Sequence, residues 1–474
     1  MFTVSTLSLL PVALLGLALL IPLGTAAVRR PQVGILLLVA LLPYDGLLLL
    51  VDLPGIVGGW KEGAVLAILI ATLIHRSSQR TRSRAQLQIT GRGRQIPGFW
   101  VPTAALLAMG LVSFAFSPDI AALTGVKVAY FYLLLPVILW LAPLNERDRD
   151  RMITIFMVNG AITSIVGLGQ QALGPERLNS IGYEYNSQIR FAGGIMRTFS
   201  TFVQPFPFAF FVMVVLLLGI PVALTDRRRR RNQLFLLSVP VLVLSMSTAI
   251  VRGAMLGLAV GGLYLIVRRF RVLGHGAILL AVAILLGPGP IIGVLASPSS
   301  LNERTTGWVS EVIDEGVEPF GSGIGSVGAA AERVQDASGR ADRSFPSPIA
   351  GNRYQPDNYY VKTLLELGPL GLWFLLWSLA SAISFGHRLS KAKPSVINPT
   401  DRAVALGITA ASLAAAGAGI VAAYWEIFPV DAFYWLLLGV LPSLLQSSST
   451  LSPSPPEEVV SRPTAANSWM PSPV

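Results

Sequence analysis

Long apolar runs are the feature of this sequence that most restricts how it can fold. Three examples, each close to the roughly 20 apolar residues that an α-helix needs to cross a bilayer, are TLSLLPVALLGLALLIPLGTAAV, FWVPTAALLAMGLVSFAF and GLWFLLWSLASAISF. Charged residues make up only 13% of the chain, about half the share that is usual in soluble domains. The sequence therefore predicts an all-α polytopic membrane protein.

The apolar runs predict about 12–13 transmembrane helices of roughly 17 to 25 residues each. Their expected centres lie near residues 15, 40, 67, 108, 132, 161, 213, 241, 260, 285, 372, 413 and 438. No basic residue precedes the first run, so we expect a membrane helix there rather than a cleaved signal peptide. Residues 1–447 are thus predicted to form one transmembrane domain, and the Ser/Pro-rich residues 448–474 a disordered cytoplasmic tail.

Arginine clusters alternate with the apolar runs and predict which side of the membrane each connection faces. Residues 76–94 hold six arginines and no acid, and residues 227–231 are five consecutive arginines. By the positive-inside rule these connections, together with 268–271 and 388–393, are cytoplasmic. A polybasic run also suits nucleic acid, but beside a membrane helix its ordinary partner is anionic lipid, so no nucleic-acid partner is predicted.

One connection on the opposite side is much longer than the others. This large extracytoplasmic loop, residues 297–357, holds nine acids, five arginines and no lysine. Loops of this length are usually functional. It contains GSGIGSVG at 321–328, which matches a dinucleotide-binding pattern but lacks the strand–helix context that such a site needs. We expect a turn or a backbone nest for an anion instead.

Twelve of the 36 lysines and arginines lie on the outer side or within spans, where the positive-inside rule does not explain them. Arg252 lies between two apolar spans with almost no loop around it, so its charge needs a partner or an anionic ligand. Snorkelling to the outer headgroups is the alternative. Arg197 precedes another span, and Arg190 lies two turns earlier if that segment is helical. Because an arginine fork binds phosphate through two N–H groups, this cluster indicates a phosphate-bearing lipid.

All three histidines lie at predicted cytoplasmic ends, so the candidate acid–base residues on the outer side are carboxylates or tyrosines. The acids near the outer membrane surface are Asp357, Glu366, Glu426 and Asp431. Asp357 and Asn358 stand where the long loop becomes apolar, and the alternative role for Asp357 is to cap a helix that begins at Tyr359. Glu366 follows Lys362 by one helical turn, which favours a simple ion pair.

Four segments follow one another in the chain: RTFSTFVQP (197–205), STAIVRGAMLGLAVG (247–261), NERTTGWVSEVIDEGVEPFGSGIGS (302–326) and DNYYVKTLLELGPLGL (357–372). In this order they resemble the bacterial O-antigen ligase and O-antigen polymerase superfamily, within a similarity that covers residues 100–445. The resemblance implies a glycosyltransferase of the GT-C type on the outer face of the bacterial inner membrane. It also implies an undecaprenyl-pyrophosphate-linked glycan donor, a glycan or lipid acceptor, and no metal or nucleotide-sugar cofactor.

The resemblance further assigns roles to particular residues. Arg197 and Arg252 match the family arginines that hold the pyrophosphate. The candidate catalytic residues are Arg252 and Asp357, although Asp357 differs from the residue that is usual at its position. The implied substrate-binding residues are Arg190, Arg197, Arg304 and Asn358. Family ligases commonly have histidine before the asparagine, where this sequence has Asp357, and this difference favours a polymerase or a general polysaccharide ligase over a lipid A ligase.

Two other functions fit the composition. A secondary transporter also has many spans and intramembrane charge, although the sequence lacks an inverted repeat and paired Gly/Pro-broken spans. A non-catalytic partner in an envelope polysaccharide assembly fits equally, and only a measurement of activity separates it from the enzyme.

Overall fold

The computed structural model describes residues 29–50, 58–83, 97–270, 274, 318–331 and 357–445. Their regular structure is helical except for one short hairpin, which confirms the all-α class. Five segments are long and apolar enough, by length and composition, to cross a membrane: Pro31–Leu50, Ile120–Leu141, Glu146–Leu173, Pro205–Thr225 and Tyr359–Ser390. The part of the chain that the structure describes is therefore a helical membrane protein.

The helices, in chain order, are α1 (Pro31–Leu41), α2 (Trp60–Ser83), α3 (Trp100–Phe116), α4 (Ile120–Tyr130), α5 (Leu134–Leu141), α6 (Glu146–Leu173), α7 (Pro175–Ile181), α8 (Pro205–Thr225), α9 (Arg230–Thr248), α10 (Arg252–Arg268), α11 (Tyr359–Ser390), α12 (Pro399–Ala418) and α13 (Val430–Val440). Turns of 3-10 helix cover Leu42–Leu50, Phe131–Leu133 and Tyr424–Glu426. Between α7 and α8, β1 (Phe191–Ala192) pairs antiparallel with β2 (Ile195–Met196).

The predicted span centres from residue 40 to 260 and from 372 to 438 all lie within these helices and turns. The centres near 15 and 285 lie outside the described residues. The same holds for the tail and for most of the predicted long loop, of which residues 318–331 and Asp357 are described. The total number of spans therefore stays a prediction.

Helix α8 is the centre of the bundle. Its residues are apolar around the whole circumference and nearly all buried, and it contacts α6, α9, α10 and α12. Glycines let α10 approach α12 closely: a methyl group on Gly261 would lie 2.7 Å from the carbonyl oxygen of Ala410, and one on Gly257 3.0 Å from that of Ala414. Close packing through small residues is typical of helices in membranes.

The start of α6, the turn before α9 and the start of α12 meet at one end of the bundle, which we call the basic end because Arg149 and Arg229 lie there. There Arg149 binds Asp401 through two N–H groups, at 2.6 Å and 3.0 Å, and so joins the start of α6 to the start of α12. Arg229, at the start of α9, binds Asp150 of α6 in the same bidentate way. The other end of the bundle, which carries the starts of α8, α10 and α11, is called the distal end below.

Candidate functional site

Arg190 and Arg197 lie opposite each other across a hairpin at the distal end. Phe191 pairs with Met196 and Ala192 with Ile195, and the Arg197 N–H donates to the Arg190 carbonyl oxygen at 2.7 Å. The segment is therefore not helical, so the two arginines are not two helical turns apart. The two arginines are still neighbours, because directly opposed residues of an antiparallel pair project from the same face.

Arg197 is joined to the turn that precedes Arg252. Its Nε donates to the Ala249 carbonyl oxygen at 3.0 Å, and its guanidinium lies 4.7 Å from the centre of the Phe206 ring. The next residue, Thr198, reinforces the junction by donating its backbone N–H to the Thr248 carbonyl oxygen at 3.1 Å. The structure thus places Arg197 beside the start of α10, with Arg190 as its backbone partner across the hairpin.

Arg252 is the first residue of α10 and is half-buried. Helix α9 ends at Thr248, so only a tight turn separates the two helices, and Ile250 in this turn has a left-handed φ of 52°. The first turn of α10 contains no acid and Val251 provides no side-chain cap. The positive end of the helix dipole and the arginine charge therefore coincide, and an anion is favoured at this point.

The start of α10 and the start of α11 flank the same turn, residues 419–422. The Tyr359 N–H donates to the Gly419 carbonyl oxygen at 2.9 Å. On the other side, a methyl group on Gly253 would lie 3.5 Å from the side chains of Val421 and Ala422. Arg252 immediately precedes Gly253, and Asp357 lies two residues before Tyr359. Both therefore lie near one short segment, although 104 residues separate them in the chain.

Asn358, not Asp357, caps α11. The Asn358 Oδ1 accepts the backbone N–H groups of Tyr360 at 2.9 Å and Val361 at 3.2 Å, and the residue is buried. Capping, which the sequence offered as the alternative role of Asp357, therefore belongs to its neighbour. Asp357 is half-buried just outside the helix. The two adjacent residues have separate structural positions, so they are separable by mutation.

The predicted pair of Lys362 and Glu366 is confirmed and has a third member, Glu426. The Lys362 Nζ lies 2.5 Å from Glu366 Oε2 and 2.7 Å from Glu426 Oε1, and each of the three side chains is at most 3% exposed. The sequence identified Glu426 only as an acid near the membrane surface. No local spacing connects it to Lys362, so this contact is a product of the tertiary fold.

The glycine-rich segment 321–328 binds the carboxylates of this cluster. The Gly325 N–H donates to Glu366 Oε1 at 2.9 Å, and the Ala329 N–H just beyond the segment donates to Glu426 Oε2 at 3.4 Å. Gly328 has a φ of +79°, and a methyl group there would lie 2.6 Å from the Lys362 side chain. The segment thus forms turns, one of the two expected alternatives, and the anions near it are carboxylates of the protein itself, each bound by a single backbone N–H group.

The same segment also satisfies a break in α11. Gly368 has a non-helical φ of 67°, and Pro369 has no N–H to offer the Leu365 carbonyl. The backbone N–H of Ser322 donates to that carbonyl at 2.8 Å, and the Gly323 N–H donates to the Glu366 carbonyl at 3.1 Å. The short helix 359–367 that carries the ion cluster is thereby fixed against segment 321–328.

Arg304, the remaining predicted substrate-binding residue, lies outside the described residues. Among the residues that the structure does describe, no group of three or more histidines, aspartates or glutamates could hold a metal ion. No protein-family model matches the chain, and no curated protein matches it.

Proposed function

We propose that the protein is a membrane glycosyltransferase of the O-antigen ligase and polymerase type. It transfers or polymerises an undecaprenyl-pyrophosphate-linked glycan on the extracytoplasmic face of a bacterial inner membrane. The observation that carries the proposal is the hydrogen bond from Arg197 to Ala249. This bond joins Arg197 to the turn that precedes Arg252. Arg252 lies at the positive end of α10, which is at the distal end of the bundle.

The chemistry requires positive charge at the leaving group. A hydroxyl oxygen of the acceptor attacks the anomeric carbon of the donor, the bond from that carbon to the pyrophosphate oxygen breaks, and the electron pair stays on the pyrophosphate. Arg252 and Arg197 supply fixed donors for the charge that develops there, and one such donor typically contributes about 3–4 kcal/mol to the transition state. Arg190, opposite Arg197 in the hairpin, extends the same positive surface.

Asp357 acts on the acceptor, whose hydroxyl group it orients. The pKa of an ordinary aspartate is about 3.9, so its carboxylate is a weak base that orients a hydroxyl group better than it removes the proton. Its position near the 419–422 turn, which the start of α10 also contacts, would let it orient an acceptor for attack on the anomeric carbon. Asn358 uses its carbonyl oxygen to cap α11, which leaves its amide group as the part that would bind substrate.

A polymerase or a general polysaccharide ligase is favoured within this class, because Asp357 stands where family ligases commonly have histidine. The acceptor is accordingly a glycan or a lipid-linked glycan. Other proteins of the polysaccharide assembly pathway are its natural partners in the membrane.

The test is release of undecaprenyl pyrophosphate by the purified full-length protein from lipid-linked glycan extracted from its host. We expect turnover by the wild type, strong loss in Arg252→Ala, and strong loss in Arg252→Lys, which keeps the charge without the fork. Arg177→Ala, which removes an exposed arginine of α7, is the matched control and should be silent. If Arg252→Ala has full turnover, Arg252 does not act in the reaction, and its alternative role is to bind lipid headgroups.

The break in α11 is the observation that favours a transporter, because broken helices line many transport sites. Here the carbonyl groups freed at the break are bonded by Ser322 and Gly323, so they do not line an open cavity. A wild-type protein that releases no undecaprenyl pyrophosphate, while its deletion still causes lipid-linked glycan to accumulate, would support a transporter or a non-catalytic assembly partner instead.

A further inference from the structure

Residues 175–200 form a small module at the distal end, with a core separate from that of the bundle. The core residues are Leu178, Tyr183, Ile189, Met196 and Phe199. The rings of Tyr183 and Phe199 lie 5.0 Å apart, and burial raises the pKa of the Tyr183 phenol. The module therefore holds its hairpin in a fixed orientation beside the start of α10.

Two aromatic rings are exposed on this module. Tyr185 and Phe191 lie with their ring planes 10° from parallel and their centres 6.5 Å apart. Their exposed fractions are 44% and 48%, respectively. Tyr185 is held by a backbone bridge to Ile189, and Phe191 belongs to β1. The pair is thus a preformed two-ring surface.

Contact with the hydrocarbon core of a bilayer does not account for this exposure. The backbone around the pair consists of turns and a two-residue hairpin, and irregular backbone is not tolerated against the hydrocarbon core. Its neighbours Glu184, Asn186, Gly193 and Gly194 are polar or small, and all are exposed. Paired aromatic rings in such an aqueous setting commonly mark a binding site.

We infer that Tyr185 and Phe191 form a binding surface for the pyranose rings of the glycan carried by the lipid-linked donor. A pyranose ring presents a face of C–H groups that packs against an aromatic ring, while its hydroxyl groups remain in water or bind polar neighbours. The hairpin connects the pair of rings to the donor site, because Phe191 follows Arg190, and Arg190 pairs with Arg197, which binds the turn before Arg252. Neighbouring residues of a strand project from opposite faces, so a glycan whose pyrophosphate lies at the arginines reaches the rings around the edge of this small hairpin.

The assignment of the glycan to the donor rests on the proposed function, whereas binding of sugar does not. The first experiment therefore measures binding alone, by saturation-transfer NMR with the purified full-length protein. The probe is the oligosaccharide released by mild acid from the lipid-linked glycans of the host. Tyr185→Ala combined with Phe191→Ala should weaken binding about tenfold or more. Phe116→Ala, which removes a ring that is 85% exposed at the end of α3, should not. Equal binding by the double variant would overturn the inference.

The second experiment tests the source of the sugar and the alternative of a membrane anchor. In the double variant we expect a raised KM for the lipid-linked donor with kcat and the KM for the acceptor unchanged; a raised KM for the acceptor alone would overturn the donor assignment. Phe191→Cys in vesicles should react with a water-soluble maleimide, and failure to react would show a ring buried in lipid. Sugar binding that depends on the rings, in a protein without turnover, would keep the sugar-binding surface and remove both the proposed function and the assignment of the sugar to the donor.

Discussion

Lys362 and Glu426 form a buried ion pair, with Nζ 2.7 Å from Oε1. Lys362 belongs to the first turns of α11, and Glu426 to the 3-10 turn that precedes α13. The same ammonium group also binds Glu366, so one cation serves two carboxylates. The cluster therefore ties the start of α11 to segment 424–426, and its members depend on one another for the compensation of buried charge.

Replacement of Lys362 by methionine should destabilise the protein strongly. The variant leaves two buried carboxylates without their cation, and breaking a buried pair in this way typically costs about 3–5 kcal/mol. We expect a clearly lower melting temperature for the purified protein in detergent. Lys127→Met is the control, because Lys127 is 52% exposed and pairs with Glu62 at 2.8 Å. An exposed pair contributes about 0–1 kcal/mol, so this variant should melt close to the wild type.

A combined variant distinguishes lost charge compensation from lost packing. Lys362→Met together with Glu366→Gln and Glu426→Gln removes all three charges and should recover part of the melting temperature. If Lys362→Met alone has the same melting temperature as the wild type, the cluster does not stabilise the protein.

Gly325→Ala should also destabilise the distal end. Gly325 has a φ of +80°, and a methyl group there would lie 2.1 Å from the Ala121 carbonyl oxygen. The left-handed backbone alone costs a residue with a side chain about 1–2 kcal/mol, and the clash adds to that. Gly194→Ala separates the two effects, because Gly194 has a φ of +78° and no atom within 4 Å of the added methyl group.

The measurement is again the melting temperature, together with hydrogen exchange of segment 321–328. Gly325→Ala should expose the N–H groups that bind Leu365, Glu366 and the Glu366 side chain, whereas Gly194→Ala should leave them protected. Equal effects of the two variants would mean that the contact with Ala121 is not close in solution.

Contacts set by local spacing were predictable from the sequence, and contacts set by tertiary packing were not. Lys362 and Glu366 are one helical turn apart, so their pairing follows from helix geometry. Glu426 reaches the same lysine only because α12 and its following turn return to the start of α11. The contacts of segment 321–328 with α11 were equally unpredictable from the sequence. They depend on backbone carbonyl groups that lose their helical partners at the break at Gly368.

The sequence contains a local signal for the hairpin at 190–197, which the conditional comparison with a helix did not use. Gly193 and Gly194 form its two-residue loop, with φ values of 57° and 78°. A Gly-Gly pair between short apolar stretches favours such a turn, because both central positions need a left-handed backbone. The seven-residue spacing of Arg190 and Arg197 thus arises from a chain reversal and not from two turns of helix.

The orientation of the bundle is testable with single cysteines, because the natural chain contains none. Gly194→Cys lies at the tip of the hairpin and Arg228→Cys lies at the basic end, and both positions are exposed. In intact cells an impermeant maleimide should label position 194, and it should label position 228 only after the inner membrane is opened. The reverse pattern would place the arginines of the hairpin in the cytoplasm and would remove the proposed function with them.

The final prediction separates Asp357 from Asn358. Asn358→Ala removes the cap of α11 and should lower stability by about 0.5–2 kcal/mol, while Asn358→Asp keeps a capping oxygen and should not. Asp357→Asn leaves this cap intact, so we expect normal membrane insertion and an unchanged melting temperature. If the carboxylate orients the acceptor hydroxyl, the same variant should lose polymer or ligated product while lipid-linked donor accumulates.

Two further substitutions make that prediction specific to the charge of Asp357. Asp357→Ser also lacks the carboxylate and should lose product in the same way, whereas Asp357→His introduces the residue found in family ligases and should retain part of the activity. Because the cap belongs to Asn358, a loss of product in Asp357→Asn at normal melting temperature has no structural explanation at α11. Wild-type product from Asp357→Asn would exclude its carboxylate from the reaction and leave Arg252 and Arg197 to act with an acceptor that is oriented by other groups.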